Sequence, residues 1–288
     1  MKQGRTAEEL ISVAFRELDE AGVPEARREA RDLLCLASGK PAAYLIAHPE
    51  YVPDAAAAEK FGSFIRRRSG REPFQQISGR QEFYGLEFAV TPDVMIPRPE
   101  TELIVEAGLE ILASTTNPAI CEVGPGSGCI IVSLLHALPE ARGIGLEISP
   151  EAMRVARINA DANGVSDRLD LRESDLFAAL GPSETFDLIV SNPPYVPAED
   201  VEGLQPEVRD HEPLVALTDG GSGLSIIERI IRESPDRLVP GGHLLLEIGF
   251  NQSSRVIDMF DPELWGPVTA FPDLQGIPRM IKANLSVI

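Results

Sequence analysis

The chain has 288 residues, 43% of them hydrophobic, which suits a medium-sized domain with a smaller companion and a real core. Its 45 Asp and Glu against 26 Lys and Arg give a net charge of -19, which argues against binding duplex nucleic acid through its phosphates. No apolar run reaches the length of a membrane span, and four scattered histidines give no support for a metal site. Cys35, Cys121 and Cys129 are odd in number, lack metal-ligand spacing and sit among apolar residues, so reduced core thiols are expected.

Met1-Lys2-Gln3-Gly4-Arg5 leads straight into an amphipathic pattern without the apolar core of a signal peptide, and a cytoplasmic location is expected. Thr6-Ala7-Glu8-Glu9 has the form of a capping box, and Leu10, Ile11, Ala14, Phe15 and Leu18 follow at helical spacing until Ala21-Gly22. Pro24 opens a second helix, Ala42 to Ala47 a third, and a fourth runs from Pro53 to Arg68. Residues 1–75 therefore read as a helical bundle. Residues 1–80 carry 13 basic and 12 acidic side chains, which leaves a net -20 on the remainder. Arg66, Arg67, Arg68 and Arg71 form the one basic cluster, equally a solvated helix end or a docking patch for a partner protein.

Over 76–97 the pattern changes to aromatic and β-branched residues around Gly85, which predicts a hairpin linker. Residues 98–288 then read as an α/β domain. Pro97 and Pro99 bracket Arg98 in a rigid connector before a helix from Leu103 to Leu112. Ala119 to Val123 is a buried strand that runs through Gly124-Pro125-Gly126-Ser127-Gly128 into a helix from Cys129. Strand, glycine loop and helix bring backbone N–H groups and a helix N-terminus to a nucleotide-like ligand. Glu147 ends a second strand 19 residues beyond Gly128, where an acid can accept from both hydroxyls of a ribose. Glu122, at the end of the first strand, is placed for the positive end of a cofactor. Asp175 and Leu176 follow a third strand (Leu169 to Arg172), where they suit the amine and ring of an adenine.

The fourth strand, Phe186 to Val190, stops at Ser191-Asn192-Pro193-Pro194-Tyr195. Pro193 and Pro194 fix their own φ, and Pro193 confines Asn192 to extended backbone. The result is a stiff rim suited to capturing a planar NH2 group: the Asn192 side-chain oxygen and the Pro193 carbonyl each accept one N–H, while Tyr195 packs on the flat face. A polar loop over 196–223, a helix from Leu224 to Leu238, a turn at Pro240-Gly241-Gly242 and a strand from His243 to Ile248 come next. Two further strands are expected near Gly266 to Ala270 and Arg279 to Leu285.

The glycine loop, the acids after strands two and three, and the Asn-Pro-Pro-Tyr rim resemble class I S-adenosylmethionine-dependent methyltransferases acting on planar nitrogens. Ile96 to Glu102, Glu82-Phe83, Glu212-Pro213, Gly220 to Leu224 and Leu246 to Gly249 narrow the resemblance to the HemK-type release factor glutamine methyltransferases. It implies a Rossmann-like, mostly parallel seven-stranded sheet after the helical domain. It also implies methyl transfer to the amide nitrogen of the glutamine in the Gly-Gly-Gln loop of peptide chain release factors, with S-adenosylhomocysteine as product. Gly124, Pro125, Gly126, Ser127, Gly128, Glu122, Glu147, Asp175, Leu176 and Asn192 are the cofactor residues so implied. Asn192, Pro193, Pro194 and Tyr195 are the substrate residues, with Asn192, Pro193 and Tyr195 carrying catalysis. A monomer is expected, with no metal, no membrane and no direct nucleic-acid contact. The rivals are a glutamine methyltransferase of a ribosomal protein, an adenine-N6 DNA methyltransferase, which would want a basic face, and a non-catalytic cofactor-binding scaffold.

Overall fold

The computed structural model describes residues 4–287; Met1 to Gln3 of the expected lead-in, and the last residue, lie outside them. The chain forms two compact units. One takes the chain through Gly79 together with Gln205–His211, and the other takes Arg80–Leu204 and everything from Glu212.

The first unit is helical: Ala7–Glu20, Ala26–Ser38, Ala42–Ala47, Ala55–Ser69 and Phe74–Ser78. The capping box forms as the sequence predicts, with the Glu9 amide donating to Thr6 Oγ1 at 3.3 Å and the Thr6 amide to the Glu9 carboxylate at 2.9 Å. Ile11, Ala14 and Leu18 pack with Leu33, Leu34, Phe61 and Ile65 in its core. The arginine cluster is largely engaged inside this unit. Arg68 is only 3% exposed and lies between Glu29 and Glu207; Arg71 also pairs with Glu207, at 2.6 Å, and Arg67 with Glu72 at 2.5 Å. A guanidinium this buried is tolerable only when paired.

The second unit opens with a hairpin of β1 (Arg80–Phe83) and β2 (Leu86–Ala89). Its two-residue turn has Tyr84 and Gly85 both at positive φ, 51° and 73°, the geometry that matches strand twist in tight hairpins. Asn159 fixes the hairpin by accepting from the Ala89 amide and donating to the Ala89 and Ser127 carbonyls.

The main sheet comprises β3 (Ala119–Val123), β4 (Arg142–Glu147), β5 (Leu169–Glu173), β6 (Phe186–Ser191), β7 (Leu238–Glu247), β8 (Thr269–Pro272) and β9 (Pro278–Asn284). The spatial order is β5-β4-β3-β6-β7-β9-β8, parallel through β7, with β9 antiparallel to β7 and β8 antiparallel to β9. Side-chain alternation puts Leu188, Val190 and Leu245 on one face with helices Glu102–Leu112 and Cys129–Ala137. Ile189, Leu244 and Leu246 lie on the other face with Ser225–Glu233. Strand order reverses between β3 and β6, so the crevice between their C-terminal ends is the place for a ligand.

Several expected boundaries move, and the strand expected near Gly266 to Ala270 lies at Thr269–Pro272. The helix from Leu224 is regular only over Ser225–Glu233 and tightens into a 3₁₀ turn at Ser234–Arg237. The expected turn at Pro240-Gly241-Gly242 is a bulge inside β7. Phe186 pairs with Leu238 and Leu188 with His243, so β7 carries three extra residues between those pairs, and Gly241 supplies the φ of 80°. The loop over 196–223 contains three short helical segments, Ala198–Gly203, Pro206–Arg209 and Leu214–Leu217.

Candidate active site

At the end of β3 the chain passes through Gly124, Gly126 and Gly128, all at positive φ (71°, 56° and 80°). Gly128 is doubly constrained, because a Cβ there would lie 3.3 Å from Ala156 Cβ. It caps helix Cys129–Ala137, which aims that helix's N-terminus at the switch point. Glu147, at the end of β4, is buried and braces the loop: its Oε2 accepts from the Gly126 amide and its Oε1 from the Ser149 amide, each at 2.9 Å. A carboxylate offers about four acceptor positions, so two bonds leave capacity for a pair of ribose hydroxyls.

Glu122 is 1% exposed, and its Oε2 accepts from the Ile131 amide at 3.0 Å. Burial pushes its carboxyl up to about 8, opposed by that hydrogen bond and reinforced by the nearby Glu147 charge. A buried acid that lines a cavity is a fitting partner for a cationic ligand group, whose charge would favour the ionised form.

After β5, Ser174 Oγ donates to the Leu176 carbonyl at 2.6 Å and holds Leu176 at a φ of 49°. Asp175 differs from the sequence expectation. Both its oxygens accept from Arg229 of helix Ser225–Glu233, at 3.0 and 3.1 Å, so its acceptors face a guanidinium.

At the end of β6, Ser191 Oγ donates to the Val123 carbonyl at 2.7 Å and ties the rim to the glycine-loop strand. Asn192, Pro193 and Pro194 line one cavity of about 300 Å³ together with Glu122, Gly124 to Ser127, Glu147, Asp175 and Leu176. Of the sequence-predicted site residues, Gly128 and Tyr195 do not line it. Tyr195 was expected with its ring on a substrate amide. Instead it packs against the core, its hydroxyl donates to Glu247 Oε1 at 3.1 Å, and its carbonyl accepts from Gln252 Nε2 at 2.9 Å. Burial, with the Glu247 charge beside it, pushes its phenol upward. Gly223 makes this packing possible, since a Cβ there would lie 2.1 Å from the Tyr195 carbonyl oxygen.

Residues with no site role expected from the sequence complete the cavity wall. Met95, Pro97 and Thr101 come from the connector after the hairpin, and Thr218 and Asp219 from the loop before helix Ser225–Glu233. Thr101 is buried, accepts from Asn192 Nδ2 at 3.2 Å and donates to Glu247 Oε2 at 2.6 Å. Asp219, despite partial burial that works the other way, is held down at about 2 by the Ser225 hydroxyl and the amides of Ser225, Gly221 and Gly223. Pro97-Arg98-Pro99 carries a visible signal of rigidity, but its approach to the far end of β6 has no local signature.

A doubly wound sheet of this order, with a glycine loop and a braced acid at its switch point, defines a nucleotide-cofactor enzyme of the methyltransferase class. Residues 102–205 match the family model of the Methyltransferase small domain, and residues 9–79 that of the PrmC N-terminal domain. A solved methyltransferase from Pyrococcus furiosus is similar in fold, with a TM-score of 0.53 at 17% identity over 77% of this chain and 99% of that one. The Release factor glutamine methyltransferase of Cereibacter sphaeroides is 43% identical over 97% of this chain and 98% of its own length. That of Geobacter sulfurreducens is 42% identical over 93% of each. The chain belongs to the release factor glutamine methyltransferase family.

Proposed function

We propose that this protein transfers a methyl group from S-adenosylmethionine to the side-chain amide nitrogen of the glutamine in the Gly-Gly-Gln loop of peptide chain release factors. The observation that carries the reading is that Asn192, Pro193 and Pro194 line the same cavity as the glycine loop, Glu122 and Glu147. A rim built to receive an amide and a loop built to receive a nucleoside thus share one wall. When bound, the cofactor supplies an electrophilic methyl group on a sulfonium centre. Glu147 would accept from its ribose, Glu122 would face its cationic end, and the loop amides and Leu176 would hold the rest.

The chain's own work is positioning. An amide nitrogen is a weak nucleophile because its lone pair is delocalised into the carbonyl. Accepting hydrogen bonds from its two N–H groups at Asn192 Oδ1 and the Pro193 carbonyl fixes its plane and raises electron density on nitrogen. Alignment and exclusion of water account for most of the acceleration. We assign no residue as general base, and the surplus proton leaves to water. Tyr195 acts in this reading from beneath the rim, by anchoring it to Glu247 and Gln252, rather than on the amide face. Asp175 reaches an adenine amine only if it exchanges or shares its Arg229 partner.

The division of labour we infer gives chemistry to residues 98–288, a linker to 76–97 and docking of the release factor to 1–75. Arg67, Arg68 and Arg71 are already paired, so within the basic cluster the exposed Arg66 is the member placed to contribute to that docking. A monomer in the cytoplasm, without direct nucleic-acid contact, fits the acidic charge and the absence, among the described residues, of a helix long and apolar enough to cross a membrane. The test is transfer of radiolabelled methyl from S-adenosylmethionine to an intact release factor and to one with the loop glutamine replaced by alanine. Label on the first alone supports the reading; equal label on both refutes it.

A further inference from the structure

We infer that Thr101 and Glu247 fix the orientation of the Asn192 amide and are therefore positioning residues for the transfer. The inference rests on the reading of Asn192 as an acceptor for the substrate amide. A carboxamide is nearly symmetric in shape, and a half-turn exchanges its oxygen for its NH2. Only the oxygen can accept from a substrate N–H; the flipped form would set donor against donor. Something must choose between the two.

The choice is made by hydroxyl bookkeeping. Thr101, 1% exposed, has one hydroxyl proton, and it points to Glu247 Oε2 at 2.6 Å. The other oxygen of Glu247 accepts the Tyr195 hydroxyl at 3.1 Å, so two donors converge on a carboxylate that is itself only 3% exposed. With its proton committed, Thr101 Oγ1 presents only lone pairs to Asn192. It therefore takes Nδ2, at 3.2 Å, and turns Oδ1 away from itself. In the flipped form Oδ1 would oppose the Thr101 oxygen, and the hydrogen bond between them would be lost. The assignment of amide oxygen and nitrogen thus follows from the donor count along Tyr195, Glu247, Thr101 and Asn192.

The test separates kcat from binding. Thr101→Val keeps the shape and removes the acceptor. It is expected to lower kcat by about tenfold or more, with the KM for the release factor and the Kd for S-adenosylmethionine within about threefold. Thr101→Ser, which restores the hydroxyl, is expected within about threefold of the parent kcat. Glu247→Gln provides a second route: its NH2 donates to Thr101, frees the Thr101 proton for Asn192 Oδ1 and so reverses the amide. The same kcat loss is expected, with the melting temperature held within a few degrees. A Thr101→Val enzyme with undiminished kcat, beside an inactive Asn192→Ala enzyme, overturns the positioning role and leaves the Asn192 reading intact. Full activity of Asn192→Ala overturns both. Failure of Thr101→Ser to restore kcat reduces Thr101 to a packing role and overturns the inference.

Discussion

Glu122 makes the apo-protein's stability depend on pH, in a direction the structure fixes. Its carboxyl is pushed from an ordinary 4.5 to about 8 in the folded chain. Between those values the folded state keeps the proton while the unfolded state releases it, so the folded state binds more protons and stability falls as pH rises. The contribution is fully present below pH 4.5 and is lost by about pH 8. At about 1.4 kcal/mol per pH unit, the whole span corresponds to an upper limit of about 5 kcal/mol. Glu122→Gln cannot ionise, yet its side-chain oxygen still accepts from the Ile131 amide. Glu247 and Glu212 are also raised by burial and shift the parent curve the same way, so the diagnostic quantity is the difference between parent and variant. Urea unfolding from pH 5 to 9 should show near-equal stabilities at the acidic end. The variant should gain several kcal/mol by pH 8 and hold that gain above it. Parallel curves across the range would refute the burial argument.

Three further substitutions test other parts of the account. Glu147→Ala strips the acceptor from two amides in the glycine loop, and we expect the Kd for S-adenosylmethionine to rise about tenfold or more by calorimetry; an unchanged Kd contradicts the role given to Glu147. Gly223→Ala forces a left-handed alanine, costing ~1 kcal/mol, and drives a Cβ against the Tyr195 carbonyl. Its melting point and methylation rate should both fall, and retention of both would show that the rim does not need this close approach. Arg68→Met leaves Glu29 and Glu207 without their shared cation and should destabilise the helical unit by about 3 kcal/mol in denaturant titration, whereas a neutral effect would mean that water already compensates the pair.

What the sequence disclosed follows the range of its signals. The glycine loop, Glu122, Glu147 and the Asn192-Pro193-Pro194 rim were legible because each sits where an apolar strand ends in residues with fixed or unusual φ. The Phe83 to Val90 pattern marked the hairpin for the same reason. Pro240-Gly241-Gly242 misled because a bulge and a turn use the same residue types, and only the pairing of Phe186 and Leu188 with β7 tells them apart. The partners that redirect side chains are distant in sequence: Arg229 on Asp175, and Glu247 on Tyr195 and Thr101. A local reading could give Tyr195 an aromatic role but not the direction of its ring. Nor could it show that Arg68 and Arg71 of the basic cluster are held by Glu29 and Glu207.

The central claim is best tested by site-resolved mass spectrometry of release-factor peptides after incubation with the protein and S-adenosylmethionine, run beside Asn192→Ala. The account expects one added methyl on the Gly-Gly-Gln glutamine, absent with the variant, while both proteins bind the cofactor. An unmodified glutamine from folded, cofactor-bound parent protein would contradict the substrate assignment, and a methyl installed equally well by Asn192→Ala would contradict the rim mechanism.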